Sequence, residues 1–71
     1  MKRIDLIRAI RRRAKQKGSA LTFREGGNHT IVTLGNCVAE IPRHREIPHG
    51  TIRRIVKELE PEFGESWLKI I

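Results

Sequence analysis

Covalent and metal staples are almost absent from this chain. Cys37 is its only cysteine, so no internal disulfide can form. A structural zinc site built from His44, His49 and Cys37 would need a fourth ligand and is usually richer in cysteine, so no metal and no other cofactor is expected. One unpaired thiol fits a reducing compartment. Aromatics are nearly as scarce, with Phe23, Phe63 and Trp67 the full set. Three rings suit the closing of a small core better than the stacking of bases. No apolar run approaches the about 20 residues of a membrane-spanning helix. Met1-Lys2-Arg3 leads into no continuous apolar segment of the secretory kind, and the Arg-rich start has the apolar spacing of a core-packing helix rather than of a transit peptide. There are no repeats, low-complexity tracts or linkers. These absences predict one cytoplasmic domain over residues 1–71, with no membrane contact.

What the chain has instead is positive charge. Fifteen Lys and Arg face eight Asp and Glu, for a net +7, and ten of the fifteen are Arg. Arginine offers phosphate a planar, two-pronged grip that lysine does not. Residues 1–17 hold Lys2, Arg3, Arg8, Arg11, Arg12, Arg13, Lys15 and Lys17 against Asp5 alone, whereas residues 58–65 carry four Glu and no basic residue. The basic part reads as a face for nucleic acid and the acidic stretch as a part turned away from it. Seventy-one residues bury about 60 % of the surface of the unfolded chain. The core then supplies only about 3–5 kcal/mol, which leaves room for a stabilising partner protein.

Apolar spacing sets out the elements. Ile4, Ile7, Ile10 and Ala14, with Leu6 beside them, form one side of a helix over residues 2–17, with Arg8, Arg12 and Lys15 opposite and Gly18 as its stop. Alternation over residues 20–24 predicts a strand with Leu21 and Phe23 on one face, and Gly26-Gly27-Asn28 a turn. Residues 29–34 are the second strand, Gly35-Asn36 a hairpin turn, and residues 37–41 the third strand, closed by Pro42. Residues 42–49 read as a polar loop. Gly50 and Thr51 open a second helix striped by Ile52, Ile55, Val56 and Leu59, which Pro61 should stop. Residues 65–71 suit a last helical turn, with Phe63, Trp67 and Leu68 over the core edge. The order is α-β-β-β-α, an α+β fold. A three-stranded antiparallel sheet with both helices on one face satisfies every apolar stripe and leaves the other face open.

The residues that point to chemistry cluster around the first hairpin. His29 stands behind a glycine corner, and an imidazole exchanges protons near neutral pH. RNA carries its own nucleophile in the 2′-oxygen, so a histidine acting as general base or general acid is enough help. The bland reading is a strand-edge histidine bonded to the backbone. Both sets of alternating residues in the strand, His29, Ile31 and Thr33 or Thr30, Val32 and Leu34, contain apolar members, so alternation leaves the face of His29 open. Arg43, His44 and Arg45 could bind phosphate beside it, His44 could be a second proton-transfer group, and Arg24 could reach the same phosphate. Arg8, Arg12 and Lys15 make a stripe suited to an RNA backbone, to an acidic partner, or simply to solvent.

Three motifs in order carry a resemblance. They are Gly27-Asn28-His29 at the second strand, Ile41-Pro42-Arg43-His44 after the third, and Gly50-Thr51-Ile52 running into Arg53-Arg54-Ile55 in the last helix. In these the chain resembles HicA-type toxins, small messenger-RNA-cleaving ribonucleases of toxin–antitoxin pairs. The resemblance implies a fold like that of double-stranded-RNA-binding domains. It also implies catalysis by His29, support from Gly27 and Asn28, and inhibition by a HicB-like antitoxin. The family more often carries Ser where this chain has Asn28. The alternative is a non-catalytic RNA-binding module of the same fold, in which His29 is structural.

Overall fold

A computed structural model describes residues 1–69. Its order is α1 (Arg3–Lys17), β1 (Leu21–Gly26), β2 (His29–Leu34), β3 (Cys37–Pro42) and α2 (His49–Phe63). The strands form one antiparallel sheet in the order β1-β2-β3. This is the α-β-β-β-α architecture expected from the apolar spacing. Buried residues of the central and third strands all share one parity: Thr30, Val32, Leu34, Cys37, Ala39 and Ile41. They meet Leu6, Ile10 and Ala14 of α1 and Ile52, Ile55, Leu59 and Phe63 of α2 in one core. Both helices therefore cover the same sheet face, and the opposite face is open.

Several local expectations are corrected. Ile4, expected on the inner side of α1, is 54 % exposed, while Leu6 is fully buried. The inward line of the helix is Leu6, Ile10 and Ala14, and Ile4 is turned away from that line. β1 runs on to Gly26, which pairs with His29, so the turn is only Gly27-Asn28. A turn that short needs Gly27 at φ +44°, where a Cβ would be strained.

The loop after β3 is not wholly polar. Ile47 is a core residue at 2 % exposure, and its N–H donates to the Met1 carbonyl at 2.8 Å. Pro61 does not stop α2, which continues to Phe63. A proline in the last turn removes one ladder bond only, and the two further residues bring Phe63 into the core. Residues 64–69 form a turn at Glu65-Ser66 and a bend at Leu68 rather than a last helical turn, with Gly64 at φ +96° and Ser66 at φ +52°. The remaining two residues of that expected turn, 70 and 71, lie outside the described residues. Trp67 packs edge-on against Phe63 at 4.7 Å between ring centroids, and its indole N–H donates to the Val56 carbonyl at 2.9 Å. The aromatics thus close the core as expected. No described helix is long and apolar enough to cross a membrane.

Candidate active site

The first hairpin positions the site. Antiparallel pairing sets Gly26 opposite His29 on one side and Pro42 opposite His29 on the other. Strand alternation then puts Gly26, His29 and Pro42 on one face. Because Thr30 is on the helix-covered face, His29 is on the open one. That answers the question alternation left undecided.

Beside His29 the surface sinks into a cleft of about 430 Å³ lined by Asn28, His29, Pro42, Arg43 and His44. Residues drawn from the turn, the start of β2 and the end of β3 thus converge. Both imidazoles belong to exposed residues, so each can exchange protons with water or a ligand.

Arg43 has a different position from the one expected of a free phosphate ligand. Its Nε and Nη2 donate to Glu25 Oε1 at 3.0 and 2.7 Å. Its Nη1 donates to the Gly27 carbonyl at 2.7 Å, and Nη2 also reaches the His29 carbonyl at 3.4 Å. The guanidinium therefore grips the turn itself. Glu25 lies on the helix-covered side, where Thr30 Oγ1 donates to the same Oε1 at 2.9 Å and Arg3 Nη2 donates in turn to Thr30 Oγ1. The hydrogen bond from Thr30, followed by those from Arg43, holds the Glu25 carboxyl below its ordinary pKa.

The other expected RNA-binding residues are not gathered at the cleft. Arg24 shares the open face with His29 but pairs opposite Ile31, farther along the sheet. Arg45 is exposed outside the cleft, and its carbonyl accepts from the Arg3 N–H at 2.9 Å. Arg8, Arg12 and Lys15 lie on the side of α1 opposite Leu6 and Ile10, facing away from the sheet. The stripe and His29 consequently occupy opposite layers. Arg8 there lies 4.0 Å from Asp5. Among the described residues, no three His, Cys, Asp or Glu side chains gather closely enough to hold a metal; Cys37 is in the core and His44 at the cleft. A larger hollow of about 820 Å³ lies between α2 and the tail, lined in part by His49, Arg53 and Lys57.

Compared with protein families, curated proteins and solved structures, the chain finds no match. The site is therefore read from its own residues.

Sequence reading passed over Glu25 and Thr30. The signal was available in the alternation: Glu25 continues the parity of Leu21 and Phe23, and Thr30 that of Val32 and Leu34. A carboxylate and a hydroxyl at the end of an apolar strand face need partners. Those partners, Arg3 and Arg43, come from distant parts of the chain.

Proposed function

We propose that this protein is an endoribonuclease toxin of the HicA type, acting on messenger RNA in the cytoplasm and neutralised by a HicB-like antitoxin. The observation that carries this reading is the cleft lined by two exposed histidines, His29 and His44, with His29 on the open sheet face. RNA transesterification requires a proton to leave the 2′-hydroxyl and another to reach the departing 5′-oxygen. The 2′-oxygen bonds to phosphorus, the bond to the 5′-oxygen breaks, and a cyclic phosphate and a 5′-hydroxyl result. His29 takes one of these proton transfers, and His44, which lines the same cleft, is the candidate for the other. Asn28 adds an amide at the mouth of the cleft, able to donate to a phosphate oxygen.

Net charge supports the substrate class. At +7 the protein attracts a polyanion over a distance that salt shortens. The α1 stripe contributes to that field from the far layer, and it is also a surface suited to an acidic antitoxin.

The test is incubation of purified protein with single-stranded RNA in excess chelator, beside a folded His29→Ala variant. Cleavage by the parent alone supports the reading. Equal cleavage by both removes His29 from the mechanism, and binding without cleavage makes the protein an RNA-binding module. The partner is tested by mass measurement after co-expression with the neighbouring gene product, where absence of a complex counts against the antitoxin.

A further inference from the structure

We infer that Arg43 is a positioning residue, anchored by Glu25, that fixes the Gly27-Asn28 turn and so presents His29 to the open-face cleft. This inference rests on the nuclease reading and adds the device that orients its histidine. Sequence pattern alone suggests a phosphate-binding role for Arg43, but its donors are turned to the hairpin.

The reasoning starts from donor use. Nε, Nη1 and Nη2 of Arg43 all donate to groups of the first hairpin: the Glu25 carboxylate and the Gly27 and His29 carbonyls. A phosphate taking those donors would have to displace a carboxylate and two carbonyls. The carbonyls bracket Asn28, so the guanidinium spans the turn from its first residue to the residue that carries the imidazole.

The need for such a clamp follows from the turn. Gly27 occupies φ +44° with nothing within 4 Å of where a Cβ would stand. No neighbour fills the space a side chain would take, and glycine is the most conformationally free residue. Without the clamp, the strand start would be defined by the Gly26–His29 and Pro42–His29 pairings alone.

Exposure sharpens the distinction between positioning and stabilising. Arg43 and Glu25 are 42 % and 62 % exposed, and ion pairs at such sites add little to folding stability. Glu25 is held in turn by Thr30, which is 1 % exposed and accepts from Arg3. The anchor thus runs from the start of α1 through the sheet to the turn, and its far end is the His29 backbone.

The experiment measures kcat, KM and thermal midpoint for Arg43→Lys, Arg43→Gln and Glu25→Gln with a short RNA, together with amide hydrogen exchange over residues 26–29. Lysine keeps the charge but cannot span a carboxylate and two carbonyls at once. Positioning predicts that all three variants lose kcat by about 10–100-fold, with KM little changed, the thermal midpoints of the two Arg43 variants little changed, and exchange faster at the turn. A phosphate-binding Arg43 predicts the reverse: Arg43→Lys stays active, Arg43→Gln raises KM, and Glu25→Gln frees the guanidinium and lowers KM. That second pattern overturns the inference. If the parent protein cleaves no RNA, the nuclease reading fails by itself. Exchange then judges the clamp: unchanged exchange in the Arg43→Gln and Glu25→Gln variants overturns it, and faster exchange in both supports it.

Discussion

Arg13 and Phe63 tie the two helices together. The Arg13 guanidinium donates from Nε and Nη2 to the Phe63 carbonyl at 3.1 and 2.8 Å. That carbonyl is at the end of α2, where the last turn leaves acceptors without helical partners. A cation there also favours the negative end of the helix dipole. One side chain of α1 therefore caps α2 across 50 positions of sequence.

Replacing Arg13 with Ala is expected to cost about 1.5–3 kcal/mol, the range for a hydrogen bond to a charged group. Urea denaturation measures it. Arg13→Lys should recover part of the loss. A change below about 0.5 kcal/mol, the scatter of ordinary surface substitutions, would mean that the contact contributes nothing.

Ile47 provides a sharper contrast, because it is buried in a loop while Ile4 is exposed in a helix. Ile47→Ala should destabilise by about 2–5 kcal/mol, enough to unfold much of a domain this small. Ile4→Ala should stay within about 0.5 kcal/mol. Comparable losses at both positions would contradict the burial pattern.

Glu25 makes stability depend on acid. Its folded pKa is depressed below the ordinary 4.5, chiefly by the Thr30 hydrogen bond and then by those from Arg43. A depressed carboxyl contributes stability that is fully present above its unfolded value and is lost as pH falls through the folded value. The effect therefore appears below pH 4.5, and Glu25→Gln should flatten that part of the acid limb. Thermal unfolding followed downward from about pH 6 tests this. Identical acid limbs for parent and variant would remove Glu25 as a contributor.

At the cleft, His29→Ala is expected to lower RNA cleavage by about 10²–10⁴-fold, the usual contribution of general acid–base catalysis. Its thermal midpoint should hardly move, since His29 is exposed. His44→Ala should also reduce the rate, and the double variant should fall by less than the product of the two losses, because the two proton transfers serve one transition state. Full activity in His44→Ala would leave His29 working with solvent alone.

The element order was legible because it is local. Two periods, 3.6 and 2, and the glycine turns at 26–28 and 35–36 mark out two helices and three strands. Gly35 shows the limit of that reading. Its φ of +56° is what a turn signal predicts, but a Cβ there would also stand 2.5 Å from Glu62 Oε1, a contact no local pattern contains. Pro61 misled for a similar reason. Proline is a strong local stop, but the burial of Phe63 and its cap from Arg13 favour continuing the helix to Phe63.

The candidate site was legible in part. His29, Asn28, Arg43 and His44 were all marked by sequence, and all line one cleft. Arg24 and Arg45 fall outside it, and Arg8, Arg12 and Lys15 belong to the opposite layer. Charge and spacing show that a residue can meet a phosphate. They carry no information about which residues meet the same one.

Sequence by itself determined the alternation, the turns, the amphipathic helices and the positive charge, since each depends on neighbours within a few positions. Only the tertiary structure decided that His29 takes the open face, because strand parity groups residues without saying which group the helices will cover. It also decided what Arg43 does. The Glu25 carboxylate it grips is 18 positions away, and that partnership exists only after β3 has paired back across β2 and brought the end of one hairpin to the turn of the other.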